Sequence, residues 1–73
     1  MSAGYDIWNN HRCVGRERSR SVYTTEDLYE DIVVWWITQF DNTLDPNDYL
    51  VKLFCDGEEE ELTIKEILDI KGV

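Results

Sequence analysis

Apolar positions recur with helical spacing over residues 24–40, the most regular pattern in the chain. Thr24 is a good N-cap, and Asp27 stands where a short carboxylate can complete a capping box. At about 100° per residue, the apolar positions that follow fill one broad face of a helix. These positions are Leu28, Tyr29, Ile32, Val33, Trp36 and Phe40. We therefore predict a main helix at about 25–40, on which the other apolar segments pack.

The opposite side of this helix is acidic, and some apolar residues fall outside the core stripe. No Lys or Arg occurs between residues 24 and 40, so the outer carboxylates are predicted to be unpaired. They are Asp27, Glu30 and Asp31. Val34, Trp35 and Ile37 cannot all face the core together with the main stripe. We expect at least one of these three to be exposed, or covered by a partner or by a second helix.

Before the helix, the pattern predicts a loose β-hairpin. Residues 5–8 alternate apolar and polar side chains as a half-buried strand does, and an Asn-Asn pair at 9–10 provides a turn. The return segment is interrupted by Gly15, which indicates a bulge or a second bend. We predict strands at about 4–9 and at about 11–23.

After the helix, Asn and Asp residues around Pro46 indicate a loop, and residues 49–55 allow two interpretations. The segment is rich in strand formers and ends at Asp56-Gly57, the best dipeptide for a tight hairpin turn. Alternatively, Asp45 as N-cap and Pro46 at the first helical position would begin a short helix. We predict the strand.

A second capping box begins the last predicted element. Thr63 and Glu66 open a helix at about 64–71, and Gly72 supplies a left-handed residue at its end. The order is then ββαββα. With 73 residues, the chain has room for one core. We predict a single α+β domain over residues 1–73, in which an antiparallel sheet packs on the main helix.

A run of four glutamates follows the Asp-Gly turn and creates a difficulty. If the turn has two residues, Glu58 and Glu60 share a face with Val51 and Leu53, where a buried carboxylate is costly. A wider turn, or a hairpin that projects from the body, would avoid that burial. Either arrangement places the acidic run in solvent.

Charge is distributed unevenly along the chain. Residues 1–22 hold four Arg against two carboxylates, 4 − 2 = +2, whereas residues 23–73 hold three Lys against fourteen, 3 − 14 = −11, which sums to −9. Such a field repels nucleic acid and anionic membrane surfaces and attracts basic protein surfaces. The N-terminus lacks the features of a signal peptide, and no apolar run approaches about 20 residues. We therefore expect a cytoplasmic location.

The residues available for catalysis or metal binding are few. His11 is the only histidine, and no phosphate-binding or metalloprotease motif occurs, so we predict a non-enzyme without a cofactor. Cys13 and Cys55 lack CxxC spacing and are interpreted as reduced thiols, with a disulfide as the alternative. A metal site built from His11, Cys13 and Cys55 would lack the four ligands of a closed zinc site. We predict no metal.

The early arginines offer a further binding surface. In a regular strand, the even-numbered positions fall on one face, so a row of arginines could grip a phosphate or a carboxylate-rich partner. The row consists of Arg12, Arg16, Arg18 and Arg20. The alternative, which we favour, is a row that faces acidic neighbours within the fold or protects a sheet edge.

Together these observations favour a binding protein that occupies a basic surface of a larger, nucleic-acid-handling protein. In size and charge alone, the chain resembles small acidic inhibitors carried by phages and mobile elements, including anti-CRISPR proteins and other DNA mimics. That resemblance implies a protein partner in a host cytoplasm. The residues expected to bind the partner are Asp27, Glu30, Asp31, Trp35, Glu58, Glu59, Glu60 and Glu61. The alternatives are an adaptor or homodimer that docks through Val34, Trp35 and Ile37, and nucleic-acid binding through the arginine row.

Overall fold

The computed structural model describes residues 2–21, 24–39 and 43–73, apart from the side chains of residues 2 and 18–21. Along the chain lie strands β1 (Ser2–Asn9) and β2 (Arg12–Ser21), helix α1 (Thr25–Ile37), a 3-10 turn (Pro46–Asp48), strands β3 (Tyr49–Cys55) and β4 (Glu58–Thr63), and helix α2 (Ile64–Lys71). The strands form one antiparallel sheet in the order β2-β1-β3-β4. The predicted α+β class and ββαββα order are confirmed.

Helix α1 begins as the sequence predicts and ends earlier. The Thr24 hydroxyl accepts a hydrogen bond from the Asp27 N–H at 3.3 Å, and the Asp27 carboxylate accepts one from the Thr24 N–H at 3.1 Å. Beyond the last helical residue, the Thr38 hydroxyl donates to the carbonyl of Trp35 at 2.7 Å, which gives one terminal carbonyl a partner. The predicted boundary at residue 40 is therefore about one turn too far, and Phe40 itself lies outside the described residues.

Two bulges distort β2 where it pairs with β1. Val14 is the extra residue between the pairs that join Ile7 to Gly15 and Trp8 to Cys13. A second irregularity lies opposite Gly4, where an added Cβ would overlap the carbonyl oxygen of a β2 residue and crowd the ring of Phe54. A glycine is required at this position because the two backbones approach so closely. The turn itself falls on residues 10–11, one position later than predicted.

The bulges also change where the arginines of β2 point. Arg16 lies opposite Asp6 and Arg12 lies opposite Asn9. Because Asp6 and Asn9 are three positions apart on β1, they face opposite sides of the sheet, and so do the two arginines. The prediction of one arginine face is wrong, since an inserted residue reverses the alternation. The side chains of Arg18 and Arg20, the other members of the predicted row, lie outside the described part of the chain.

Residues 49–55 form strand β3, which settles the choice between strand and helix. The turn to β4 holds two residues, Asp56 and Gly57, with φ of 54° and 85°. Positive φ at both central positions is the type I′ geometry whose twist matches that of the flanking strands. Cys55 therefore pairs with Glu58 directly across the turn.

Both helices cover the same face of the sheet. Odd-numbered residues of β1 and β3 point toward them, and the best-buried side chains have no exposed surface: Ile7, Leu28, Ile32, Val51, Ile64 and Ile67. At one end, the rings of Trp35 and Trp36 pack edge-on against Tyr49, with centroids 6.4 and 5.2 Å away. Even-numbered residues of β1 and β3 form the open face, which no described element covers. Neither described helix is long and apolar enough to cross a membrane.

Candidate functional site

Strand β4 carries its four consecutive glutamates at the edge of the sheet, and we name Glu58–Glu61 the acidic edge. All four side chains are exposed. Glu59 pairs with Phe54 and Glu61 pairs with Lys52, which places these two carboxylates on the open face. Glu58 and Glu60 therefore lie on the helix side. The acidic edge thus presents two carboxylates on each face of the sheet.

The hydroxyl of Tyr29 in α1 explains how Glu60 is accommodated on the helix side. It donates a hydrogen bond to Glu60 Oε1, while only 8% of Tyr29 is exposed. Burial, this hydrogen bond and the charges of Glu60 and Glu26 raise the pKa of Tyr29 to about 12. The predicted wider turn or projecting hairpin is not needed, because an edge strand leaves Glu58 and Glu60 exposed at the rim of the core, and Tyr29 donates to Glu60 there.

A shallow groove of about 460 Å³ runs along the open face beside the acidic edge. Side chains that line it from the open face are Asp6, Lys52, Phe54, Glu59 and Glu61. The ammonium group of Lys52 lies 5.8 Å from the centroid of the Trp8 ring, within cation–π range. Although Lys52 is opposite Glu61, no ion pair joins them, and none of the described side chains pairs with Glu59. Among the described side chains, the carboxylates of Glu59 and Glu61 therefore have no counterion and remain available to a partner.

The helix carboxylates are engaged within the fold, in contrast to the acidic edge. The Asp27 carboxylate belongs to the capping box. Lys71, at the end of α2, contacts Glu26 at 2.9 Å and Glu30 at 3.3 Å. These carboxylates raise the pKa of Lys71. Asp31 is half-buried and is not free either. The prediction of an unpaired acidic row on α1 is therefore wrong, because the counterion comes from another helix.

Of the early arginines whose side chains are described, Arg12 and Arg16, only Arg16 forms an ion pair. This pair does not involve the acidic edge. Arg16 contacts Asp6 at 3.0 Å across the β1–β2 pair, and both residues belong to the N-terminal third of the chain. Asp6 is only 16% exposed in its side chain, whereas the Arg16 side chain is 51% exposed. Within the described side chains, the early basic residues therefore do not neutralise β4.

The apolar residues of α1 divide between the core and the surface. Trp35 packs against Tyr49 and lies close to Gly15 of β2, so it supports the core and is only partly exposed. Val34 and Ile37 are 61% and 57% exposed, as expected for residues outside the core stripe. Of the three residues proposed for apolar docking, Trp35 thus packs against the core, whereas Val34 and Ile37 are the exposed apolar residues of α1.

The two cysteines are separated by the sheet. Cys13 pairs with Trp8 and lies on the open face, whereas Cys55 pairs with Ala3 on the helix side, and neither forms a disulfide. Burial, followed by the charges of Asp56 and Glu58, raises the pKa of Cys55. The described residues contain no group of three or more His, Cys, Asp or Glu side chains placed to hold a metal ion.

Several residues that shape this region carried only weak signals in the sequence. Lys71 stands in the last turn of the predicted second helix, where a cation is an ordinary end signal, and Tyr29 belongs to the predicted core stripe. The conflict at Glu58 and Glu60 led to the prediction of a wider turn or a projecting hairpin. It is also the one signal that could have indicated a donor, since a carboxylate next to buried apolar residues requires a hydrogen bond. The donor to Glu60, 31 residues away in the chain, could not be identified without the fold.

A comparison with protein-family models, with curated proteins and with solved structures finds no match to this chain. Function must therefore be argued from the geometry and charge described above.

Proposed function

We propose that this chain is a non-enzymatic binding protein that occupies a basic surface of a larger, nucleic-acid-handling protein through the acidic edge. The single observation that carries the proposal is that four exposed carboxylates follow one another on an edge strand, and those of Glu59 and Glu61 have no described counterion. Carboxylates held in this way attract Lys and Arg side chains and speed association with a basic surface.

Net charge favours the same class of partner. A chain of charge −9 is repelled by nucleic acid itself but is attracted to proteins that bind nucleic acid. Small acidic inhibitors of phages and mobile elements, such as anti-CRISPR proteins and other DNA mimics, share this size and charge, and we extend the proposal to that class. Of the predicted partner-binding carboxylates, those of Glu58, Glu59 and Glu61 have no side-chain partner among the described residues, whereas those of Asp27, Glu30 and Glu60 do.

A matched pair of charge variants tests the proposal. The variant E58Q/E59Q/E61Q removes three carboxylates of the acidic edge and spares Glu60, the acceptor of Tyr29; its net charge is −9 + 3 = −6. The control E26Q/E30Q/D48N has the same net charge of −6 and leaves β4 intact. Each chain is immobilised and used to capture proteins from an extract of the native host, and folding is checked by denaturation.

We expect the unmodified chain and the control to capture proteins that bind nucleic acid. Capture should be displaced by added DNA or RNA and should fall steeply as salt rises from about 0.05 to about 0.5 M, because the Debye length shortens. The acidic-edge variant should lose this capture. Equal capture by all three folded chains would show that the acidic edge does not bind the partner.

A second candidate function rests on the exposure of Val34 and Ile37 in α1. These side chains would dock an apolar partner or a second copy, and their binding would persist at high salt. The variant V34S/I37S should then abolish capture, whereas E58Q/E59Q/E61Q should leave it unchanged. The two candidates are thus separated by salt dependence and by variant.

A further inference from the structure

We infer that β4 binds its partner by strand addition: an extended, basic segment pairs with the free edge of β4 and continues the sheet. This inference rests on the proposed function and names the form that the basic partner takes. The strand order β2-β1-β3-β4 leaves the outer edge of β4 without a neighbour among the described strands. An edge of this kind is the surface to which extended peptides add in β-augmentation.

The hairpin geometry identifies the backbone groups that would pair. Next to a two-residue turn, the flanking pair exchanges both ladder hydrogen bonds, and the pattern then alternates along the strand. Because Cys55 and Glu58 flank this turn, the N–H and C=O groups of Glu59 and Glu61 point away from β3. The next N–H in this alternation belongs to Thr63, which instead donates to Glu66 in the capping box at 3.3 Å. The available edge is therefore short and centred on Glu59 and Glu61.

The side chains of the same two residues select a basic strand. Glu59 and Glu61 project onto the open face, into the groove lined by Phe54. A Lys or Arg of an added strand, opposite either glutamate, would lie on this face. Its charge would lie beside these carboxylates, and cross-strand pairs of opposite charge stabilise a sheet.

Charge also argues against a second copy of this chain pairing through the same strand. Two β4 strands side by side would bring eight glutamates together, and like charges directly opposite one another are destabilising. Pairing of β4 with β2 of another copy would match opposite charges, but the two bulges of β2 interrupt a regular edge, and bulges limit edge pairing. An added strand from a different, basic protein meets neither obstacle.

The test uses two synthetic peptides that differ only in their backbone. One is a short peptide of alternating lysine and valine, and the other carries N-methyl groups on its lysines. A strand that places its lysines opposite Glu59 and Glu61 turns the lysine N–H groups toward β4, so the methylated twin cannot donate in that alignment. An alternating glutamate and valine peptide serves as the charge control. Affinity for the full chain is measured by titration, and the amides of Glu59 and Glu61 are followed by NMR hydrogen exchange.

We expect the unmethylated basic peptide to bind at least about tenfold more tightly than its methylated twin, since the twin cannot form the ladder hydrogen bonds. The amides of Glu59 and Glu61 should exchange more slowly in its presence, and the acidic peptide should not bind. Equal binding of both basic peptides would overturn strand addition while leaving the proposed charge-based function intact. Failure of both to bind at low salt would overturn strand addition and would also count against the proposed function, because the glutamates would then only protect the edge. Concentration-dependent self-association through the Glu59 and Glu61 amides would overturn the choice of occupant in favour of a second copy.

Discussion

The hydrogen bond between Tyr29 and Glu60 joins helix α1 to the acidic edge, and its removal tests how much this contact stabilises the fold. Tyr29→Phe keeps the ring, which is 8% exposed, and deletes only the hydroxyl that donates to Glu60. A hydrogen bond to a charged acceptor contributes about 1.5–3 kcal/mol, but Glu60 is exposed and water competes for it, so we expect a loss of about 1 kcal/mol. For a domain of this size, that loss lowers Tm by roughly 4–8 °C.

A double-mutant cycle isolates this contribution. Urea unfolding of the unmodified chain, Y29F, E60A and Y29F/E60A should give a coupling free energy of about 1 kcal/mol, since the two side chains are in contact and alanine leaves no acceptor at position 60. The matched cycle of Y29F with E58A removes a carboxylate on the same side of β4 that does not accept from Tyr29, and it should give a coupling near zero. Equal couplings in the two cycles would refute a specific bond and leave only a general effect of charge.

The same pair predicts how stability depends on pH. Folding raises the pKa of Tyr29 from 10.0 to about 12, so above about pH 10 the unfolded chain loses this proton first. Protonated Tyr29 therefore makes its full contribution to the free energy of unfolding below about pH 10, and this contribution is lost as the pH rises to about 12. Y29F should lack this alkaline decline when unfolding is measured across that range. A decline of equal size in Y29F would assign it to other groups.

Three further predictions concern the core, a backbone contact and a thiol. Ile32 has no exposed surface, so Ile32→Ala should lower the free energy of unfolding in urea by about 2–5 kcal/mol and Ile32→Val by about 0.5–1.5 kcal/mol. Equal losses for the two variants would show that the side chain of Ile32 is not closely packed. Gly4→Ala should lower the free energy of unfolding by about 1–3 kcal/mol, because its Cβ overlaps a β2 carbonyl; an unchanged value would contradict the close approach. In a Cys13→Ser background, Cys55 should be alkylated more slowly than a free cysteine at neutral pH, because burial and nearby carboxylates raise its pKa, and Glu58→Gln should speed the reaction. An alkylation rate equal to that of free cysteine would contradict that environment.

The sequence predicted the elements better than it predicted the surroundings of the charged residues. Capping boxes at Thr24 and Thr63 are formed, and residues 49–55 are a strand that ends in the expected turn. In contrast, the acidic row on α1 is engaged within the fold, Asp27 by the capping box and Glu30 by Lys71, and the arginines at the start of β2 face opposite sides. An ion pair depends on which elements become neighbours, and a bulge depends on how two strands fit together.

The features that could be predicted from local sequence depend on residues within one turn of helix or across one tight hairpin. Caps, the apolar stripe of α1 and the Asp56-Gly57 turn are of this kind, because the groups that stabilise them are within about four positions of each other. Two other features became evident only in the folded chain: β4 is an edge strand, and Tyr29 rather than a wider turn accommodates Glu60. Strand order and the contacts between distant segments depend on the packing of the whole core, which no local pattern encodes.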